Sequence, residues 1–287
     1  MGFTLNLAFD LLAFTSIMVL VVMGLGVIAS MMGVFNFAHG EFLLLGAYTT
    51  WLAQQAGLPV WSGIVAAPFL VALAGLILEQ TIIRRFYAAP IVGMLGTYAI
   101  GLVLREVVRG LIGGQFHSVQ EPVSGSFALG GLTFPAWRCV IILVMLAVVF
   151  ACWFLLARTT LGLQVRAALE NPALARASGM STRRLYAMTF AFGAGLAGLA
   201  GALVVPLFSL SADLGLRFLV HGFLSVMLGG IGSFEGPVAG GAVVGLLSAG
   251  LPWAVPPVLA DVLVFVIALI AIKLRPQGLI QRGGTRA

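Results

Sequence analysis

The chain of 287 residues is 61% hydrophobic and only 8% charged, with a formal net charge of +6 and a mean hydropathy of +1.14. This composition excludes an ordinary soluble domain. It also argues against nucleic acid as a partner, because the basic residues cluster beside apolar runs, where they set orientation in a bilayer. A helix needs about 20 mainly apolar residues to cross the hydrocarbon core. The expectation is therefore an all-α, polytopic integral membrane protein of about eight to ten crossings, one membrane domain over residues 1–287.

In chain order, MGFTLNLAFD lacks the basic start of a cleaved signal peptide, so the first apolar run is expected to remain as a span. The predicted spans are Leu7 to Met32, Phe42 to Ala56, Ser62 to Ile83, Pro90 to Val108, Arg138 to Ala157, Leu185 to Leu207, Phe218 to Gly230, Gly236 to Pro252 and Val258 to Ile272. Phe42 to Ala56 and Phe218 to Gly230 are short and flanked by Gly or polar residues, which suits half-helices or re-entrant segments.

Between the first two runs stands FNFAHGEF, where Asn36, His39 and Glu41 interrupt an almost uncharged region. The reading is a junction at or near the cytoplasmic membrane face. Asn36 caps a helix or satisfies freed backbone groups, Gly40 permits a close turn, and Glu41 is favoured by the dipole of the following helix. His39 pairs with Glu41 or with a neighbouring helix. A role in gating or along a pathway is the functional expectation for Asn36, His39 and Glu41, together with Thr97 and Tyr98, whose hydroxyls interrupt a run beside Gly93 and Gly96. Intramembrane charges are costly and each needs an account. Glu79 is expected to pair locally with Arg84 or Arg85, and Arg105, Glu106 and Arg109, at an external helix end, either to pair among themselves or to contact an external binding protein. Asp213, Arg217 and His221 form a surface cluster, and Asp261 has no evident partner.

Arg84 and Arg85; Arg158, Arg166, Arg176, Arg183 and Arg184; and Lys273, Arg275, Arg282 and Arg286 account for eleven of the fifteen basic residues. The positive-inside rule makes these stretches cytoplasmic, so nine crossings put the N-terminus outside and the C-terminus inside. Gly110 to Trp137, with GG, EP, SGS, GG and FP turn signals, is the longest external loop. On it His117 and Glu121 lack further ligands nearby, and Cys139 and Cys152 follow no metal or disulfide pattern, so no metal is expected. Small residues at helical spacing, Gly193, Gly198 and Gly201 in one stretch and Gly236, Gly240 and Gly241 in another, predict close helix packing in lipid.

The loop from about residue 158 to 184 reads as two short amphipathic helices. The first runs from Leu161 to Leu169. Asn171 caps the second with Pro172 at its first position, and Gly179 supplies a left-handed stop. The loop contains no catalytic set, and an enzyme built on His39 and Glu41 lacks HExxH. With one lysine, Lys273, the chain has no GK[ST] of a phosphate-binding loop.

NFAHGEF, the AALENPALARASGMS core of this loop and LGGIGSFEGPVAGG at Leu228 to Gly241 together resemble the H-type permease subunits of branched-chain amino-acid ABC importers, the LivH/LivM permease family. The resemblance implies a bacterial inner-membrane transport subunit forming half of a translocation pathway. Its partners would be a second, LivM-like permease, two cytoplasmic ATPases that bind ATP and Mg, and a periplasmic substrate-binding protein, with no cofactor in this chain. It also implies an ATPase-coupling role for the region of Arg166, Ala168, Glu170, Ala175, Gly179 and Arg183. The alternatives are the same architecture carrying urea or short amides, and an ion-coupled secondary transporter using Glu41, Glu79 or Asp261.

Overall fold

The computed structural model describes residues 2–280 except Val34, Ala88, Gly130 and Gly131. Arg282 and Arg286, and the second GG turn signal at Gly130 and Gly131, lie outside the described residues. Helices correspond to all nine expected apolar runs: α1 (Gly2–Met32), α2 (His39–Gln55), α3 (Val60–Thr81), α4 (Pro90–Ile112), α5 (Ala136–Arg158), α8 (Thr182–Val204), α9 (Leu214–Gly229), α10 (Glu235–Gly250) and α11 (Pro257–Leu274), with α6 (Thr160–Glu170) and α7 (Pro172–Ala177) between α5 and α8. Seven are long and apolar enough to cross a membrane. At 17 and 16 residues, α2 and α9 reach only about 25 Å at 1.5 Å per residue, short of a hydrocarbon core of about 30 Å. The architecture is that of an all-α, multi-pass membrane protein.

The external segment, expected as an ordered loop and not a domain, carries one hairpin that the turn signals did not specify. Strands β1 (Ser126–Leu129) and β2 (Leu132–Pro135) form an antiparallel hairpin in which Ser126 faces Pro135 and Phe127 faces Phe134. The hairpin marks one end of the molecule, and α6 and α7 mark the opposite end. The segment after the α4 terminus folds over the hairpin end: His117 and Leu210 exchange backbone hydrogen bonds of 2.9 Å, the His117 ring lies 4.4 Å from that of Trp51, and Gln54 holds the backbone of Ser118 and Gln120.

The core helices are α1 and α8. The apolar stretches of both are largely buried in the protein, whereas those of α4, α5 and α11 face mostly outward. The two core helices run antiparallel, because a Cβ at Gly24 would meet Ala197 while one at Gly193 would meet Ile28. Around them the packing is reciprocal. As α1 packs on α8, α9 and α10, so α8 packs on α1, α2 and α3, and α2 lies on α3 as α9 lies on α10. A 3-10 segment, Ile83–Phe86, precedes α4, and another, Leu251–Trp253, precedes α11; Pro90 and Pro257 open those helices. The run α1 to α4 is thus matched in inverted orientation by the run α8 to α11, the repeat logic of many membrane transport folds.

The contacts on this axis require glycine. A Cβ on Gly193 would stand 2.8 Å from the Gly24 carbonyl oxygen, and one on Gly24 would strike the Gly193 carbonyl in return; Gly40 and Gly215 block each other in the same reciprocal way, with the Gly215 oxygen 2.6 Å from a Cβ at Gly40. Lipid offers apolar helices no water to exclude, so backbone contact this close is how they gain dispersion energy.

Candidate functional site

FNFAHGEF becomes a break between α1 and α2, and its depth corrects the expectation of a junction at the membrane face. Ala38, Glu41 and the Phe37 carbonyl lie against Gly101, the central residue of α4 (Pro90–Ile112, 23 residues). The His39 imidazole Nε2 lies 3.2 Å from the Val21 carbonyl, well inside the apolar stretch Leu5–Ser30. After α1 ends, the chain returns to mid-height before α2 begins. A helix starting there leaves free backbone N–H groups away from water, and local side chains answer part of that need. Asn36 Oδ1 accepts from the Ala38 N–H at 3.0 Å, and Thr97 Oγ1 accepts from the Phe37 N–H at 3.0 Å while donating to the Met94 carbonyl. Phe37 stacks on Phe223 with centroids 4.4 Å apart.

Of the two partners open to His39, the neighbouring helix is the one found. A carbonyl only accepts, so the proton sits on Nε2 and donates to Val21; Nδ1 has no partner among the described residues. Gly24 makes room for this ring, since a Cβ there would stand 2.8 Å from His39 Cε1.

The expected local pairing of Arg105 is corrected too. Arg105 reaches across to Glu41, donating from Nε at 3.1 Å and from Nη2 to the same oxygen, Oε1. The Glu41 side chain is 1% exposed and that of Arg105 11%, and Glu41 Oε2 is left without a partner, as is Asn36 Nδ2. One turn further toward the hairpin end, Arg109 donates to Glu106 at 2.6 Å and to Asp213 at 3.1 Å. Asp213 therefore pairs with α4, not within the surface cluster expected with Arg217 and His221; the His221 ring turns to the Arg217 carbonyl, 3.0 Å away.

Thr97, Gly101, Arg105 and Arg109 recur every fourth residue and so form one stripe of α4. This stripe meets the break between α1 and α2, and its last member meets the start of α9. Tyr98, one residue off the stripe, is exposed. Sequence reasoning missed Arg105 and Arg109 as members of this site, although their spacing from Thr97 is the signal that groups them. Glu79 also differs from expectation: it is buried and accepts from the Tyr87 hydroxyl at 2.9 Å, with no ion pair to Arg84 or Arg85 among the described residues. Burial, and then the Glu79 carboxylate, push the Tyr87 phenol above its ordinary range. Asp261 is exposed on α11.

At the other end, three caps fix the starts of α6, α7 and α8. Thr159 accepts from the Gly162 N–H at 3.3 Å, Asn171 from Leu174 at 2.9 Å and Ser181 from Arg184 at 3.4 Å; Gly179 has φ +82°. The hairpin of helices is tied down by the Tyr186 hydroxyl, which donates to the Ala168 carbonyl, and by a cluster of Val165, Ala168, Ala175 and Leu185 with Cys152 and Leu156. Ala168 and Ala175 are therefore buried and hold the helices in place, while Glu170, Gly179 and Arg183 are exposed and Arg166 half-buried. An open groove of about 450 Å³ beside them is lined by Gln164, Gly179, Ser181 and Arg184.

The remaining predicted packing positions all touch neighbouring helices. A Cβ would stand 2.7 Å from Val71 Cβ at Gly198, 3.1 Å from the Ala47 nitrogen at Gly201, 2.9 Å from the Gly229 oxygen at Gly236, 2.8 Å from the Gly229 nitrogen at Gly240 and 3.4 Å from Val19 at Gly241.

Residues 7–272 match the profile of the family described as branched-chain amino acid transport system / permease component. The high-affinity branched-chain amino acid transport system permease protein LivH of Escherichia coli K12 is 23% identical over 279 residues, 92% of this chain and 91% of that protein. The ribose import permease protein RbsC of the same organism is 25% identical over 267 residues, 87% and 78% of the two chains. Among solved structures, PsaBC from Streptococcus pneumoniae in complex with Fab superposes with a TM-score of 0.52 over 93% of this chain and 91% of that one at 16% identity, a likeness of fold.

Proposed function

The chain belongs to the branched-chain amino acid transport system permease family, and from that premise we propose that it is one membrane half of an ATP-driven importer of branched-chain amino acids. The observation that carries the coupling is the α6–α7 hairpin. It is capped at both helix starts, anchored by Ala168 and Ala175, and presents Glu170, Arg176, Gly179 and Arg183 outward beside an open groove. A rigid projection of this kind transmits the movement of a docked ATPase instead of absorbing it. ATP and Mg are held by two such ATPases, a second LivM-like permease completes the pathway, and a periplasmic binding protein delivers substrate at the hairpin end.

Arg84, Arg85, Arg158, Arg166, Arg176, Arg183, Arg184, Lys273 and Arg275 lie in or beside the segments on the α6–α7 side, so that side is cytoplasmic by the positive-inside rule and the β hairpin is periplasmic. Closure of the ATPases then moves α6 and α7, and through Leu185 and Tyr186 the core helix α8. Because α8 meets α1 and α2 through glycines, a small slide changes many contacts together. The break at Asn36 to Glu41, met by the Thr97 stripe, is the place where such a slide opens or closes a path; Tyr98 lies outside it.

Uptake of radiolabelled leucine, isoleucine, valine, ribose, urea and short amides by cells with and without the co-expressed ATPases tests the reading. Accumulation of the branched-chain amino acids that depends on the ATPases is expected. Accumulation without them, or of the uncharged solutes alone, refutes it.

A further inference from the structure

A buried ion pair in a membrane protein is expensive, and it is best satisfied when a guanidinium spans both oxygens of the carboxylate. Glu41 and Arg105 do not meet that way. Both donors converge on Oε1, and Oε2 stays buried and unpartnered. Elsewhere in the same break Asn36 Nδ2 and His39 Nδ1 are also buried and without a partner among the described residues, so the break between α1 and α2 holds more hydrogen-bonding capacity than the chain itself uses.

This capacity lies at the inner end of a graded series of charges. Side-chain exposure falls from 61% at Asp213 and 39% at Arg109 to 11% at Arg105 and 1% at Glu41. The series is two carboxylate–guanidinium pairs in the order Asp213, Arg109, Arg105, Glu41, and beside it Gly40 of α2 abuts Gly215 of α9, so the amino ends of two short helices converge there. The polar route therefore leads from the hairpin surface to the middle of the helix bundle.

We propose that the Glu41–Arg105 pair is an exchange site for a zwitterionic head group, the ammonium donating to Glu41 Oε2 and the carboxylate accepting from Arg105. A ligand with both charges closes a four-charge array in which no member is left uncompensated. A solute without charges gains nothing there, and one with a single charge leaves an excess charge in a low dielectric. The proposal rests on the importer reading above and refines it, assigning recognition of a free α-amino acid to the membrane subunit as well as to the binding protein. The outer rung, Asp213 with Arg109, offers the same two charges at the surface.

The test uses the complete importer in proteoliposomes, with radiolabelled leucine delivered per ATP hydrolysed as the readout. Glu41→Gln keeps the acceptor for Arg105 but removes the charge, and the Glu41→Met/Arg105→Met double variant replaces the pair by apolar volume, a change that a purely structural pair tolerates. Both variants are expected to assemble and to deliver about tenfold less leucine per ATP, the loss of roughly one charge-assisted hydrogen bond. A ratio within twofold of the wild type in either variant overturns the proposal, and so does loss of assembly in both, which would make the pair a structural lock. A wild-type importer that moves only uncharged solutes fails the importer reading itself, whereas wild-type leucine transport with unaffected variants fails this inference alone.

Discussion

Gly198 sits where three helices meet, and its replacement by alanine is the sharpest probe of the packing. A Cβ there would stand 2.7 Å from Val71 Cβ and 3.0 Å from the Ala67 carbonyl oxygen of α3. Carbon atoms rest about 3.5 to 4.0 Å apart, so α3 has to retreat by about 1 Å. The Ala67 contact is backbone and cannot rotate away. Overpacking of this kind costs about 1 to 3 kcal/mol. The better helix propensity of alanine returns about 0.5 to 1 kcal/mol, leaving a net loss of roughly 0.5 to 2 kcal/mol. At roughly 2 to 4 °C per kcal/mol for a chain of this size, thermal melting of the purified chain in detergent is expected to fall by roughly 1 to 8 °C. Gly110 is the control: a Cβ there meets nothing within 4 Å, so Gly110→Ala leaves the melt unchanged or raises it. The larger Gly198→Leu is expected to abolish uptake while the ATPases still co-purify. A Gly198→Ala chain that melts at or above the wild type, or normal uptake with leucine at 198, refutes the reasoning.

Two further outcomes follow from local geometry. Asn171→Ala removes the side-chain acceptor of the Leu174 N–H and costs about 1 kcal/mol at the start of α7. Hydrogen exchange at Leu174 should speed up by roughly fivefold, with Asn171→Ser restoring most of the protection; equal exchange in all three chains would show that the cap is idle. Gly96→Ala pushes a Cβ to within 2.5 Å of the Phe86 ring, a loss of about 1 to 3 kcal/mol. Phe86→Leu should relieve part of it, giving a coupling of about 1 kcal/mol in a double-mutant cycle, and strict additivity would contradict the contact.

The helices were legible because each rests on a signal local to its own residues. Apolar runs announced all nine long elements, and the Asn171–Pro172 pair with Gly179 announced the α6–α7 hairpin. The shortness of α2 and α9 was legible for the same reason. The partners of the charges were not. Glu41 and Arg105 are 64 residues apart, and Arg109 and Asp213 are 104 apart, so nothing in the periodicity around either residue points to the other. The depth of the Asn36 to Glu41 break was misjudged for a related reason. A polar interruption between two apolar runs ordinarily marks a membrane face, and only the contacts with Val21 and Gly101 show the chain re-entering. The β1–β2 hairpin was hidden in a segment whose Gly and Pro signals mark turns without saying what the turns join.

The reciprocal contact of Gly24 with Gly193 also has a meaning in time. The two residues are 169 positions apart, so at about 5 to 20 residues per second of synthesis, α1 spends roughly 10 to 30 s in the bilayer before its glycine face is covered. Its run from Leu11 to Met32 contains no charged residue, and lipid is a tolerable substitute for α8 through that interval. Glu41 has no such substitute. It waits for Arg105 for roughly 3 to 13 s at the same pace, and the nascent chain must keep its carboxylate near an interface until α4 arrives. The re-entrant start of α2 is thus assembled late, after the helix that neutralises it, and not in the order in which its residues are made.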